Sequence, residues 1–187
     1  MLDSAKDSRE FRMGSWVFDS LIYSVTLAAA VTAASFPTAV LGGDPTKECE
    51  VLFDGAHRTA DWRSAYIECS ARAEEGDAGA QYRVGVIYAN GRSVEPDDDA
   101  AVQWYRKAAT QGYATAHMGL GIMYYYGRGV AQDPLRAYKW WTIAALLEEP
   151  AAETNQEIAA KQLTPAEIEE SQGWAEECLA SGYQGCQ

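Results

Sequence analysis

The chain has 187 residues and a formal net charge of −12, with 48% hydrophobic and 22% charged residues. This composition is typical of a globular protein and excludes a wholly disordered chain. It also excludes a nucleic-acid backbone as the partner, because phosphate binding needs a basic patch and the lysines and arginines here are scattered.

Residues 1–43 are predicted to be a signal peptide or a membrane anchor. Lys6, Arg9 and Arg12 precede an alanine-rich apolar stretch, and no charged residue stands between Asp19 and Asp44. A basic start, an apolar stretch and small residues for cleavage are typical of an export signal. The stretch is also long enough to span a bilayer, so an uncleaved anchor stays open. The rest of the chain is accordingly expected to be exported, either periplasmic or secreted, with any membrane contact made by this first segment.

Residues 44–77 are predicted to be a degenerate half-repeat that closes the amino-terminal end of the fold. Ala65, Ala73 and Gly76 stand 36 positions before equivalent residues of the next segment, where an aromatic pair replaces Glu68 and Cys69. The first helix of this half-repeat is predicted at residues 46–53. A terminal unit loses repeat character because nothing stacks on its outer side.

Residues 78–113 and 114–149 are two copies of one repeat. When the chain is shifted by 36 positions, eleven of the thirty residues from 80 to 109 recur between 116 and 145. The recurring residues include the glycines, the tyrosines and the tryptophans that punctuate each copy: Gly85/Gly121, Tyr88/Tyr124, Gly91/Gly127 and Trp104/Trp140. A fixed period of this length predicts a solenoid of stacked supersecondary units.

Each copy is predicted to be a helical hairpin. In the first copy a helix from Ala78 to Asn90 ends at Gly91, which tolerates the left-handed conformation of a helix end. Asp97 is placed to cap a second helix that carries an apolar stripe. Gly85 lies inside the first helix at a cost of about 1 kcal/mol relative to Ala, as does Gly121 in the second copy. The recurrence of these glycines predicts that an aromatic ring needs the space.

Residues 150–187 are predicted to be an acidic helical cap. Residues 151–162 are predicted to form one helix, and Thr164 with Glu167 predicts a capped start for another that runs to about Ala180. From position 148 onward nine acidic residues stand against one base, Lys161. They are interpreted as a solvated helical face or as a surface that attracts a basic partner.

The four cysteines all follow the apolar segment, and they are Cys49, Cys69, Cys178 and Cys186. An even number in an exported chain predicts disulfides, and the local pairs 49–69 and 178–186 are the most economical of the three connectivities. A zinc site is the alternative, but neither C-x-x-C nor paired histidines are present. His57 and His117 are isolated and are predicted to be plain surface or helix residues. No metal ligand and no cofactor-binding residue is predicted.

The segments AQYRVGVIYANGRSVEPDDDAAVQWYRKAATQG and AHMGLGIMYYYGRGVAQDPLRAYKWWTIAA resemble the Sel-1-like repeat (SLR) family, a relative of the tetratricopeptide repeats. Their shared pattern comprises G-x-x-Y, a Y-x-x-G-R-G-V loop and A-x-x-W-Y-x-x-A-A. Ser93 and Trp141 are the departures from it. The resemblance covers roughly residues 60–180 and implies an all-α solenoid of helical hairpins with adaptor or scaffold roles, often in exported bacterial assemblies. A cysteine-rich branch of the family has been linked to β-lactam hydrolysis, but it carries cysteine pairs in successive repeats, and the two clear repeats here contain none.

The sequence predicts a binding module that is not an enzyme. Gly119 and Gly121 lack the third glycine of a dinucleotide fingerprint, and no G-x-S-x-G or S-x-x-K arrangement supports a nucleophile. Variable positions on the first helix of each hairpin are predicted to line a groove for a protein or peptide partner of the cell envelope. Those residues are Arg83, Ile87, Asn90, Met123, Tyr125 and Tyr126. The alternatives are a structural spacer in an envelope complex and a weak hydrolase of β-lactams or cell-wall material.

Overall fold

The structure, a computed structural model, describes residues 48–186, and within that range the chain is entirely helical. Eight helices follow one another along the chain, and no strand occurs among these residues. The helices are α1 (Glu48–Thr59), α2 (Trp62–Glu74), α3 (Ala78–Asn90), α4 (Asp98–Ala109), α5 (Ala114–Tyr126), α6 (Pro134–Leu146), α7 (Ala152–Ala160) and α8 (Pro165–Ala180). The predicted all-α solenoid of helical hairpins is therefore confirmed.

The hairpins α3–α4 and α5–α6 share the same local signals at their turns. Gly91 and Gly127 end the first helices in the left-handed conformation, at φ 61° and 67°. Asp97 and Asp133 begin the second helices, and each aspartate side chain accepts a hydrogen bond from a backbone N–H three residues on. Both ends therefore satisfy backbone groups that the helix itself leaves unpaired.

The interior of each hairpin places an aromatic ring on a glycine, as the repeated glycines predict. A Cβ on Gly85 would lie 2.6 Å from Cε1 of Tyr105, and a Cβ on Gly121 would collide with the indole of Trp141. Tyr105 and Trp141 occupy equivalent positions 36 residues apart and are both buried. The two hairpins are thus built around the same contact between the first and second helices.

The first hairpin differs from this pattern. The prediction of a short helix at residues 46–53 is wrong, because α1 extends to Thr59. The turn to α2 consists of Ala60 and Asp61, whereas α3 and α4 are separated by residues 91–97. A shorter turn moves the first helix along the sequence, so an offset of 36 positions no longer identifies its equivalent residues. The disulfide Cys49–Cys69 joins the two helices, with 4.8 Å between the Cα atoms.

The carboxyl-terminal helices agree closely with the predicted signals. Thr164 and Glu167 form a reciprocal capping box at the start of α8, and Pro165 occupies its first turn. After α8 the disulfide Cys178–Cys186 closes a loop of sequence separation 8. Both disulfides have the local pairing that the cysteine spacing favours, and the described residues contain no free cysteine.

The predicted signal peptide or anchor, residues 1–43, lies outside the described residues. Within residues 48–186, none of the helices combines the length and the apolar composition that crossing a membrane requires.

Candidate functional site

An open groove lies between α3 and α5, the first helices of the two central hairpins. Its volume is about 340 Å³, and most of its lining is apolar. Tyr82 and Val86 contribute one wall, Met118 and Ile122 the other, and Tyr105 of α4 reaches between them. A larger recess of about 460 Å³ lies between α6, α7 and α8, but four of its seven lining residues are Glu or Gln. The α3/α5 groove is therefore the better candidate for an apolar ligand or segment.

Tyr105 forms the floor of the groove because glycines on both neighbouring helices leave room for its ring. A Cβ on Gly119 would lie 3.2 Å from Cδ2 of that ring, and Gly85 borders its other edge. The ring of Tyr82 packs against Tyr105 and Tyr113, with centroid distances of 5.6 and 5.5 Å. Burial raises the pKa of both Tyr105 and Tyr82, so their hydroxyls stay neutral at physiological pH.

Polar groups border the groove at its two ends. Arg128 forms an ion pair with Asp98 at 2.6 Å and donates to the backbone carbonyl of Ala89. The hydrogen bond with Asp98 raises the pKa of Arg128, which stays charged but is neutralised by its partner. Glu149 accepts a hydrogen bond from the Thr115 hydroxyl at 3.1 Å, and no cation among the described residues pairs with it. The unneutralised charge of the groove is therefore negative.

The apolar wall residues of the groove occupy two equivalent positions in the two repeats. Tyr82 and Val86 of α3 are equivalent to Met118 and Ile122 of α5. Ile158 of α7 stands a further 36 residues on and is 40% exposed, close to the 37% of Ile122. Every second helix from α3 to α7 thus carries an aliphatic side chain at this position, half-buried at Val86 and more exposed at Ile122 and Ile158. The surface is therefore a repeated feature of the fold.

Three of the predicted groove residues each stand one position after a residue that forms a wall of the groove. They are Arg83, Ile87 and Met123. Ile87 is wholly buried, whereas Met123 does line the groove from beneath, although it is only 1% exposed. Ile87 lies on the same stripe as Ala80 and Val84, which pack towards α2 in the amino-terminal core. The sequence alone did not show that the first helix of a hairpin is covered on two sides, which leaves only the stripe through 82, 86 and 90 uncovered.

The other predicted groove residues lie in different parts of the structure. Arg83 turns towards α1, where it forms an ion pair with Glu50 at 3.2 Å. Asn90 does line the groove, although its amide donates to the carbonyl of Val86. Tyr125 packs half-buried against Trp141, and Tyr126 is 67% exposed without lining the groove.

Several residues of the groove were missed by sequence analysis. Tyr82 and Met118 differ between the two copies and could have been found by testing every helical stripe for residues that vary. Glu149 lies beyond the repeat, after α6, and nothing in the pattern places it beside Thr115. Arg128 belongs to the shared loop motif, which sequence analysis interpreted only as a turn.

His117 is a helix residue of α5, which is one of the two places predicted for it, but it is wholly buried and has no surface exposure. One disulfide lies in the first hairpin and the other joins α8 to the loop that follows it, so both are outside the two central repeats. That arrangement differs from the cysteine pairs in successive repeats that the resemblance associates with β-lactam hydrolysis. Across residues 48–186, no group of three or more His, Cys, Asp or Glu side chains is placed to hold a metal ion.

Comparison with known proteins agrees with this architecture. The Sel1 repeat model matches residues 78–113 and 114–148. The structure is similar to that of a protective antigen present in uropathogenic Escherichia coli strains displaying an SLR fold, with 27% identity and a TM-score of 0.68. It is also similar to a Sel1 repeat protein from Oxalobacter formigenes, with 29% identity and a TM-score of 0.52.

The matched regions cover 75% and 57% of this chain but only 32% and 44% of those two proteins, so the chain spans less than half of either relative. No curated protein matches the chain. The hairpins α3–α4 and α5–α6 match two consecutive Sel1 repeats, and this part of the chain carries its similarity to the Sel1-like repeat proteins.

Proposed function

We propose that this chain is an interaction module that binds a segment of a partner protein in the groove between α3 and α5. Sel1 repeats are generally protein-interaction modules. The observation that carries the proposal is the open, mostly apolar groove, whose wall residues recur at the same positions of two repeats. Apolar surface of this kind, bordered by polar groups, is characteristic of sites that bind another protein.

The groove is suited to an apolar anchor residue of the partner. Met118, Ile122 and Val86 offer apolar walls, and Tyr105 and Tyr82 offer a flat aromatic surface. Burying one large apolar side chain contributes about 1.5–3 kcal/mol. One or two such anchors would supply most of the affinity of a short segment, as a few residues usually do at protein interfaces.

The charge around the groove favours a basic neighbour beside that anchor. Among the described residues no cation pairs with Glu149, whereas Asp98 neutralises Arg128. The net charge of −12 adds a long-range attraction for a positive segment. We therefore expect the partner segment to combine an aliphatic or aromatic residue with a nearby lysine or arginine.

The two disulfides support a location outside the cytoplasm. Both join cysteines that are buried, and disulfides persist in oxidising compartments such as the periplasm. We expect the chain to be exported and to act at the cell envelope. Alkylation of thiols in freshly lysed cells should leave all four cysteines unmodified, and complete modification before any reduction would contradict an exported location.

Selection from a random peptide library displayed on phage tests the binding proposal without knowledge of the natural partner. The oxidised full chain should enrich peptides that carry an apolar residue close to a lysine or arginine. Ile122→Glu, which places a charge in the wall of the groove, should abolish binding of the enriched peptides. Glu149→Gln should weaken it and reduce its sensitivity to salt.

Ile67→Glu is the matched control, because Ile67 is a 59% exposed isoleucine on α2 and does not line the groove. It should leave peptide binding unchanged. If no peptide is enriched, or if Ile67→Glu and Ile122→Glu have equal effects, the groove is not the binding surface. The structural spacer would then be the better account of the chain.

A further inference from the structure

The two repeats place a buried polar side chain at the same position of their first helices. Gln81 in α3 and His117 in α5 stand 36 residues apart, and both are buried. Both the nitrogen and the oxygen of the Gln81 amide have a hydrogen-bond partner. Its amide nitrogen donates to the carbonyl of Ala73 at 3.1 Å, and its oxygen accepts from the amide of Gln111 at 2.8 Å. Gln81 thereby connects α3 to the helix before it.

Only one of the two ring nitrogens of His117 has a hydrogen-bond partner among the described residues. Its Nδ1 lies 3.0 Å from the carbonyl oxygen of Tyr113, and because a carbonyl can only accept, Nδ1 carries the proton. The other ring nitrogen, Nε2, therefore presents a lone pair. It is buried and has no hydrogen-bond partner among the described residues. Burial of the ring also lowers the pKa of His117 to about 4, so the imidazole is neutral.

Arg106 supplies a buried hydrogen-bond donor near the acceptor Nε2 of His117. Arg106 of α4 donates from Nη2 to the hydroxyl of Tyr124 at 2.8 Å, but its Nε–H is buried and finds no partner within residues 48–186. Arg106 and His117 both line a cavity of about 10 Å³, as does Ala109. A cavity of this size holds one water molecule, and a water needs several polar partners to remain bound.

Ala109 supplies the third partner by repeat equivalence. It stands 36 residues after Ala73, whose carbonyl accepts from both Gly76 and Gln81. The carbonyl of Ala109 accepts from Gly112, which is equivalent to Gly76. Its second lone pair corresponds to the one that receives the Gln81 amide in the preceding repeat. The imidazole of His117 cannot reproduce that donation, because its only N–H is already used.

The carboxyl-terminal loop closes the cavity from outside. Tyr183 and Cys186 line it, and the ring of Tyr183 packs 5.6 Å from that of His117. Gly112 makes room for this ring, because a Cβ there would lie 2.6 Å from Cε2 of Tyr183. The disulfide Cys178–Cys186 holds the loop in place. A molecule in the cavity would thus be enclosed by α4, α5, α6 and the loop.

We propose that this cavity binds one internal water molecule that takes the place of the Gln81 amide in the second repeat. The water donates one proton to His117 Nε2 and the other to the carbonyl of Ala109, and it accepts from Arg106 Nε–H. All three protein groups are then satisfied, and α5 is connected to α4 as α3 is connected to α2. The site is distinct from the α3/α5 groove and does not depend on the proposed function.

A crystal structure of the oxidised full chain, at a resolution that shows ordered water, tests the proposal directly. It should contain one water within about 2.7–3.2 Å of both His117 Nε2 and Arg106 Nε. An empty cavity, or a side-chain arrangement in which either atom bonds to another protein group, would overturn it.

Two substitutions at His117 separate a bridged polar site from simple packing. His117→Gln restores the side chain of the first repeat, so its amide should bond to the Ala109 carbonyl and displace the water. His117→Leu has an apolar side chain and leaves Arg106 Nε–H with fewer partners. The melting temperature should therefore fall further for His117→Leu than for His117→Gln, by roughly 2–4 °C.

The reverse order would show that the site is governed by packing alone and would contradict the proposal. Gln81→Leu serves as the control in the first repeat, because it removes two hydrogen bonds observed in the structure. It should lower the melting temperature at least as much as His117→Leu does.

Discussion

The two central hairpins and the two ends of the described structure are stabilised by different means. In the centre, Tyr105 and Trp141 pack onto glycines of the helix before them, and each hairpin has a neighbour on both sides. At the ends, the disulfides Cys49–Cys69 and Cys178–Cys186 join local segments. A terminal hairpin of a solenoid has only one neighbour and buries less apolar surface, so a covalent link compensates for contacts that cannot form.

This difference explains why the sequence repeat fades where it does. Wherever the aromatic–glycine contact is used, both partners recur with the period of 36. In the first hairpin Cys69 stands where the centre has an aromatic residue, and the disulfide replaces the ring. The predictions below test whether the two regions depend on these different contacts.

The largest expected effect is at the amino-terminal end. Replacing Cys49 and Cys69 together by alanine should lower the free energy of unfolding by about 3 kcal/mol, because the closed loop of about twenty residues regains its entropy in the unfolded chain. Urea unfolding of the variant and of the oxidised parent measures this difference. A loss below about 1 kcal/mol would show that packing alone stabilises this hairpin.

The centre should be sensitive to acid through His117. The pKa of His117 is about 4 in the folded chain, and the unfolded chain binds the proton near pH 6.5. Between these values the unfolded state binds more protons, so stability falls as the pH decreases from about 6.5 to 4, by roughly 3 kcal/mol, and this contribution is constant below pH 4. The stability difference between the parent and His117→Gln should change by that amount over this range, and a pH-independent difference would contradict a buried neutral imidazole.

The aromatic–glycine contact should tolerate no added methyl group. Gly121→Ala should destabilise the chain by about 1–3 kcal/mol, because its Cβ would meet the indole of Trp141, whose Nε1 is held by the carbonyl of Met118. Gly173→Ala is the matched control in α8, where no atom lies within 4 Å of an added Cβ. It should stabilise by about 0.5–1 kcal/mol. Thermal unfolding that showed both variants destabilised alike would argue against the contact.

A smaller effect is expected at the capping box of α8. Thr164→Ala removes the side chain that accepts from the backbone N–H of Glu167. It also removes the hydroxyl that donates to the Glu167 carboxylate, while the backbone N–H of Thr164, which contributes most to lowering the pKa of that carboxyl, remains. The expected loss is about 1 kcal/mol, measurable by urea unfolding. Unchanged stability would show that α8 is held by its packing on α6 and does not need its cap.

Most of the fold could be predicted from the sequence because its signals are local. Glycines at helix ends and capping residues at helix starts each act within a few residues, and the observed bounds of α3 and α8 agree with them. The 36-residue period shows that the same local signals recur in the next hairpin. The first helix was misplaced because its position depends on the length of one turn. The sequence of α1 gives no indication that the turn after it consists only of Ala60 and Asp61.

The groove was less predictable because it depends on which faces of a helix its neighbours cover. The sequence identified the correct helices, but it selected the stripe of Ile87 in place of that of Val86. A rotation of about 100° per residue separates a buried position from an exposed one on the same helix. The position of Glu149 beside Thr115 depends on how the end of α6 packs against α5. The repeat pattern carries no information about that contact.

The most direct test of the account is a titration followed by the methyl resonances of the labelled, oxidised chain with an enriched apolar–basic peptide. The account predicts that the methyl groups of Met118, Ile122 and Val86 shift on binding, while those of Ile67 on α2 do not. Shifts confined to the recess between α6, α7 and α8, around Leu146, would contradict the assignment of the α3/α5 groove as the binding surface.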